Sequence, residues 1–202
     1  MKHAIVVAHP NPASFDLTMA RAYQAAAERA GEQVILRDLY RMGFDPRMAD
    51  GEIPRPGGFE PAADVKAERA LIGDADVFVF VYPLWFNSPP AMLKGYLERV
   101  FGMGFAYGPG PNGNQPLLQG RKMASISSSG APKDWIVETG DWFAVRKLFD
   151  EHFAAVCGLS VGDHLHFGEI EPGIRADVVE ACAAQVEAMF EARFAKVSAP
   201  AG

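Results

Sequence analysis

Apolar residues along this 202-residue chain come in two rhythms. Short runs such as HAIVVAH (3 to 9), QVILRDL (33 to 39), DVFVFVYP (76 to 83), RKMASISSS (121 to 129) and LSVGDHLHF (159 to 167) read as strands. Between them lie longer, often Ala-rich segments whose apolar positions recur every three or four residues, the spacing that lines one face of a helix. SFDLTMARAYQAAAERA (14 to 30) is the first, stopped by Gly31. Others run from Ala63 to Ile72, from the prolines of PPAMLKGYLERVFG (89 to 102), through DWFAVRKLFDEHFAAVCG (141 to 158), and from 175 to 197. A Pro- and Gly-rich loop fills 41 to 61 and suits a lid, a dimer arm or a disordered connection. Five strands alternating with helices predict an α/β fold with a mostly parallel sheet covered on both faces.

The degree of alternation orders those strands. The first and third runs are apolar almost throughout, as suits central strands, whereas QVILRDL alternates and ends in charge, as an edge strand does. The expected arrangement is a flavodoxin-like, doubly wound, five-stranded parallel sheet of order 2-1-3-4-5, in a single domain spanning residues 1 to 202. In such sheets ligands bind beyond the carboxyl ends of the central strands, where the strand order reverses. AHPNPASF after the first strand, YPLWFNSPP after the third and SISSSGAP after the fourth should meet there.

Each of these loops suits one part of a nucleotide-like ligand. Ser14 is placed to cap the first helix, and its hydroxyl with the amides of Phe15 and Asp16 would cradle a phosphate while His9 reaches in from the strand end. The alternative for this loop is a plain helix cap. Leu84, Trp85, Phe86 and Asn87 offer backbone donors and acceptors with an apolar platform, the requirements of a flat heteroaromatic ring, and the prolines that follow keep the loop short. The alternative is that Trp85 and Phe86 are core residues covering the sheet end. Ser127, Ser128 and Ser129 could bond ring carbonyls, and Gly130 would permit close backbone approach.

Charge and composition exclude other classes. A net charge of −6 without a Lys/Arg cluster argues against a nucleic-acid or anionic-membrane surface. With 49% hydrophobic residues, no segment long and apolar enough to span a bilayer and no basic, apolar leader, a cytoplasmic globular protein without membrane insertion is expected. Cys157 and Cys182 lie in helix-like surroundings and suit buried thiols. GPGPNG (108 to 113) matches the spacing G-x-G-x-x-G but follows a helix and contains two prolines, so it is no dinucleotide fingerprint. His164 and His166 share one face of a strand without a third ligand nearby in sequence, so no metal is expected.

The segments AHPNPASF, DLYRMGFDP, DADVFVFVYPLWFNSPPAMLKGYLERVFGMGFAYG and SISSSG together resemble the flavodoxin-like NAD(P)H:quinone oxidoreductases, the DT-diaphorase group and its bacterial relatives. The resemblance implies a homodimer that binds FAD, with FMN the alternative. It implies ping-pong transfer of two electrons from NADH or NADPH to a quinone or similar aromatic acceptor. By position it assigns His9, Ser14 and Phe15 to a pyrophosphate loop, Pro83, Leu84, Trp85, Phe86 and Asn87 to a flavin-ring loop, and Ser127 to Gly130 to a second ring loop. Phe86, Asn87, Tyr107 and Trp135 fall by the substrate. Where the family often has a Tyr and a His, this chain has Trp135 and Asp141, and Asp141 is expected to cap the following helix and point away. Some members are ancillary subunits of potassium efflux systems, which gives a second reading as a flavin-binding partner protein. An exposed apolar patch from Phe101 to Tyr107 would serve either a homodimer or such a complex.

Overall fold

The computed structural model describes residues 1 to 194. Its main sheet contains β1 (Lys2–Val7), β2 (Gln33–Asp38), β3 (Val77–Pro83), and two strands that follow an intervening hairpin of β4 (Tyr107–Gly110) and β5 (Gly113–Pro116). These two are β6 (Lys122–Ser128) and β7 (Ser160–Phe167). The order is β2-β1-β3-β6-β7 with every pairing parallel, which is the expected 2-1-3-4-5 once the hairpin is set aside.

The centre of this sheet follows from β3, VFVFVYP, in which every residue is buried. Successive side chains point to opposite faces. Phe78, Phe80 and Tyr82 therefore enter one core and Val77, Val79 and Val81 the other. The aromatic face packs on α3 (Ala91–Val100) through Leu93, Tyr96 and Val100, and on Phe101 and Phe149. The valine face packs on α1 (Phe15–Arg29) and α7 (Ala176–Arg193) through Leu17, Tyr23, Val186 and Phe190. Each buried Phe or Val contributes roughly 1.5–3 kcal/mol, so side-chain alternation in one strand supplies both cores. Edge strand β2 is only half-buried, as its alternation predicts.

Four features depart from the sequence reading. GPGPNG forms the turn and part of the antiparallel β4–β5 hairpin. An additional short helix, α4 (Lys133–Glu138), precedes the expected one. That expected helix is α5 (Asp141–Val145), a π-helical stretch (Arg146–Phe153) and α6 (Ala154–Cys157), ended by Gly158 at φ +81°. The segment from Phe101 to Tyr107 is less exposed than expected, since Phe101 is 2% exposed and Ala106 fully buried while Met103, Phe105 and Tyr107 are half-buried. Packing of Phe101 on Phe78 and Phe80 draws its start inward. The part of the C-terminal helix expected beyond residue 194 lies outside the described residues.

The 41–61 segment is fastened. Arg99 on α3, 6% exposed, bonds Glu52 at 3.1 Å, Asp64 of α2 (Ala63–Ile72) at 2.9 Å and the Asp45 carbonyl at 2.5 Å, while its guanidinium lies over Phe44. Gly95 adds a close approach, because a Cβ there would collide with the Pro46 carbonyl oxygen.

Candidate functional site

Beyond the carboxyl ends of β1, β3 and β6 lies an open crevice of about 390 Å³. His9, Ser14 and Phe15 line it from the first loop, Pro83, Leu84 and Trp85 from the second, and Ser128, Ser129 and Gly130 from the third. Leu84 joins the second and third loops by donating its amide to the Ser128 carbonyl at 2.7 Å.

At one end, Ser14 caps α1 by accepting from the Leu17 amide at 3.2 Å, with its backbone extended at ψ 156°. The amides of the first helical turn lie at the positive end of the helix dipole. The His9 ring accepts from the Asn11 amide at 3.1 Å, and burial lowers its pKa below the usual histidine value. Arg41 donates to the carbonyls of His9 and Pro10, which holds the loop against the sheet.

At the other end, Trp85 and Ser88 exchange backbone hydrogen bonds of 3.0 and 3.2 Å around Phe86 and Asn87, whose φ values are +51° and +52°. Two positive φ values in a two-residue connection are the signature of a type I′ turn, which usually takes Asn or Gly. A bulky residue in that conformation is strained, and Phe86 is also wholly exposed. Trp85 is 44% exposed and its ring lies 5.9 Å from that of His9, giving the crevice a partly apolar wall.

Several sequence-assigned residues fall elsewhere. Ser127 is fully buried, with its hydroxyl bonded to His164 and His166 of β7 instead of facing the crevice, because strand alternation turns it away. Tyr107 sits in the hairpin and lines a groove on the aromatic side of the sheet. Trp135 stands half-exposed on α4, outside the residues lining the crevice. Phe86 and Asn87 form the turn tip beside the crevice wall without lining it. Asp141 does not point away, and the cap position belongs to Gly140. Its carboxylate accepts from the Asn87 amide group at 2.8 Å and from Thr139 at 2.9 Å, tying the turn to α5.

Two contributors escaped sequence reasoning. Asp16 is 2% exposed and accepts from the Ser128 hydroxyl at 2.9 Å, and burial raises its pKa to about 6. Ile170, Pro172 and Gly173 close the crevice from the loop after β7. Their available signal was topological, since every parallel strand delivers its following loop to this same end of the sheet.

The fit to a flavin rests on three observations. There is a helix N-terminus for phosphate, an aromatic wall, and open space at Gly130, where an added Cβ would have nothing within 4 Å. A crevice at the point where a parallel sheet reverses its strand order defines a doubly wound protein of the nucleotide- or flavin-binding kind. The chain belongs to the family described as the flavodoxin-like fold, which matches residues 1–190. It is 31% identical to an uncharacterised NAD(P)H oxidoreductase of Haemophilus influenzae, over 95% of this chain and 97% of that one. It is 27% identical to NAD(P)H dehydrogenase [quinone] 1 of Cavia porcellus, over 93% of this chain and 76% of that protein. The solved NAD(P)H:quinone oxidoreductase from Methanothermobacter marburgensis superposes with a TM-score of 0.79 at 26% identity, covering 95% of this chain and 96% of that one.

Proposed function

We propose that this protein is an NAD(P)H-dependent flavin oxidoreductase of the quinone reductase kind. It binds FAD in the crevice and passes two electrons from NADH or NADPH to a quinone or a similar small aromatic acceptor. The observation that carries this is the convergence of His9, Ser14, Trp85, Ser129 and Gly130 on one crevice, joined by the activities for which the relatives are named. Bound flavin supplies the two-electron chemistry. The chain's part is to hold phosphate oxygens at the α1 amides, to shield the ring with Trp85, and to leave Gly130 clear for close approach. Phe86 and Asn87, at the turn tip beside the wall, border the position where a second planar substrate would stack, and nicotinamide and acceptor use that position in turn.

A second copy of the chain is the proposed partner. Its contact surface is an apolar groove of about 260 Å³ between Leu97, Phe101, Leu148 and Val156, two of which, Leu148 and Val156, are 71% and 37% exposed. Light scattering should report twice the chain mass.

The test is direct. Purified protein should bind FAD more tightly than FMN when either titration is followed by flavin fluorescence. Initial rates at varied NAD(P)H and quinone should give parallel double-reciprocal lines, the pattern of a shared position. Colourless protein that binds neither flavin would overturn the reading.

A further inference from the structure

Five side chains, from β6, the residue that follows it, β7 and the π-helical stretch, make an unbroken polar string inside the protein. The Asp150 carboxylate meets His164 Nδ1 at 2.7 Å, and His164 Nε2 meets Ser127 Oγ at 2.7 Å. Ser127 Oγ meets His166 Nδ1 at 2.8 Å, and His166 Nε2 meets Ser129 Oγ at 3.1 Å. Ser129 in turn donates to the Ala131 carbonyl at 2.8 Å. Asp150, His164, Ser127 and His166 are all buried, so water does not substitute for a missing link. Ser129 is as buried as these, at 7% exposure, and it also borders the crevice.

Counting hydrogens exposes an imbalance. The string has five links and begins and ends on an acceptor, the carboxylate and the Ala131 carbonyl, so five hydrogens are needed to fill it. Two neutral imidazoles and two hydroxyls supply only four. With Ser129 donating to Ala131, three hydrogens remain for four links, and the contact lengths select one of the four possible orders, the one that leaves the longest link vacant. His166 Nδ1–H donates to Ser127, Ser127 to His164 Nε2, and His164 Nδ1–H to Asp150. The vacant link is then His166 Nε2 against Ser129 Oγ, which is the longest of the five and the one at the crevice.

We propose that Asp150, His164, Ser127, His166 and Ser129 form a buried proton relay that opens onto the crevice at Ser129. One proton from solvent enters the vacant link when negative charge accumulates in the crevice, and it leaves when that charge leaves. The proton binds His166 Nε2, which then donates to Ser129 Oγ. No other bond changes, and the imidazolium can pass its charge inward by handing the Nδ1 hydrogen to Ser127 as Ser127 hands its own to His164. The purpose assigned to the relay, balancing charge gained by a reduced ligand, rests on the flavin reading above.

The surroundings set when this happens. Trp142 covers both imidazoles, with ring centroids 4.6 Å from His164 and 5.2 Å from His166, and Lys133 lies over the Trp142 ring. Tyr82 approaches His164 from the sheet, and on the π-helical stretch Arg146 lies 3.7 Å from Asp150. Ser125 donates to the other carboxylate oxygen at 2.9 Å. Burial, His164 and Lys133 together lower the His166 pKa to about 4, so the link stays vacant at neutral pH until a negative neighbour arrives.

Nitrogen-15 spectra of histidine-labelled protein test this in two stages. Without flavin at pH 7, His164 and His166 should both carry hydrogen on Nδ1 and a bare Nε2. A hydrogen on His166 Nε2 would overturn the relay whether or not the flavin reading holds. With FAD bound and reduced by dithionite under argon, His166 should carry both hydrogens at pH 7, and an unchanged neutral ring would overturn the coupling. Indicator-dye measurements of proton uptake per two electrons should then give one proton fewer in His166→Asn than in the parent, at equal FAD occupancy. Equal uptake would also overturn it. Failure to bind FAD would refute the proposed function, while the first-stage tautomers would still decide for or against the relay.

Discussion

The 41–61 segment and the turn from Trp85 to Ser88 invert what their sequences suggest. The first is long and rich in Pro and Gly, yet Arg99, Glu52 and Asp64 fix it to α2 and α3 from beneath, and Gly95 lets Pro46 settle on the helix. The second is short and bounded by prolines, yet it places an aromatic residue at positive φ in full solvent. Chain composition describes the freedom of the unfolded segment. What decides order in the folded state is whether its backbone and charges have buried partners.

The largest test of that contrast is Arg99→Ala. It leaves Glu52, 7% exposed, without its cation, and breaking such a buried pair costs about 3–5 kcal/mol. Urea midpoints should fall accordingly, and hydrogen exchange should rise across 41 to 61 while the Trp85–Ser88 turn stays protected. A loss below about 1 kcal/mol would mean that the segment holds itself.

Acid should separate the 41–61 segment from the sheet. His3 and His166 have pKa values lowered from 6.5 to about 4, mainly by burial, so they favour the fold fully above pH 6.5 and lose that contribution as pH falls toward 4. Asp16, raised from 3.8 to about 6 by burial, works in the opposite sense, because its contribution is present below pH 3.8 and lost as pH rises through 6. Each tenfold difference in proton affinity between the folded and unfolded chain is worth about 1.4 kcal/mol. Two groups against one therefore leave a net loss of about 2–4 kcal/mol between pH 6.5 and 4. The carboxyls that hold 41 to 61 differ. Arg99 hydrogen bonds keep Asp64 below the usual range and outweigh the burial that acts on Glu52. Hydrogen exchange at pH 4.5 should therefore increase around β1 and β7, which carry His3 and His166, before it increases in 41 to 61.

The smallest expected effect is a gain. Phe86→Gly removes a side chain that contacts little and relieves its φ of +51°, which should raise stability by about 1 kcal/mol. If Phe86 serves the second substrate, KM for the quinone should rise in the same variant. Unchanged KM with raised stability would limit the residue to the shape of the turn.

What the sequence could reveal had a simple physical limit. The strand order was legible because burial on both faces leaves a continuous apolar run in β1 and β3, and edge exposure leaves alternation in β2. The crevice position followed from that order. The β4–β5 hairpin was hidden because YGPG and GNQP carry neither alternation nor β-branched residues. Asp16 was read only for its amide, since its carboxylate gains meaning from Ser128, 112 positions away. The misplacement of Ser127 has the same root. Adjacent serines on one strand face opposite sides, and only the register of β6 against β7 settles which one meets the histidines.

The π-helical stretch has a consequence for changes in chain length. A helix that bonds five residues back holds more residues per turn than an α-helix, so in alignment with an α-helical relative it would look like a small insertion with no loop to contain it. Excising the exposed Lys147 would let the segment relax to ordinary pitch while the turns on either side keep their register, because the wider turn is what holds the extra residue. The shift would be confined to the stretch itself, which holds Asp150 against His164 and sets Phe149 parallel to Phe153 within 5°. Length variation here is therefore absorbed within one helix, at the turn that carries the buried carboxylate.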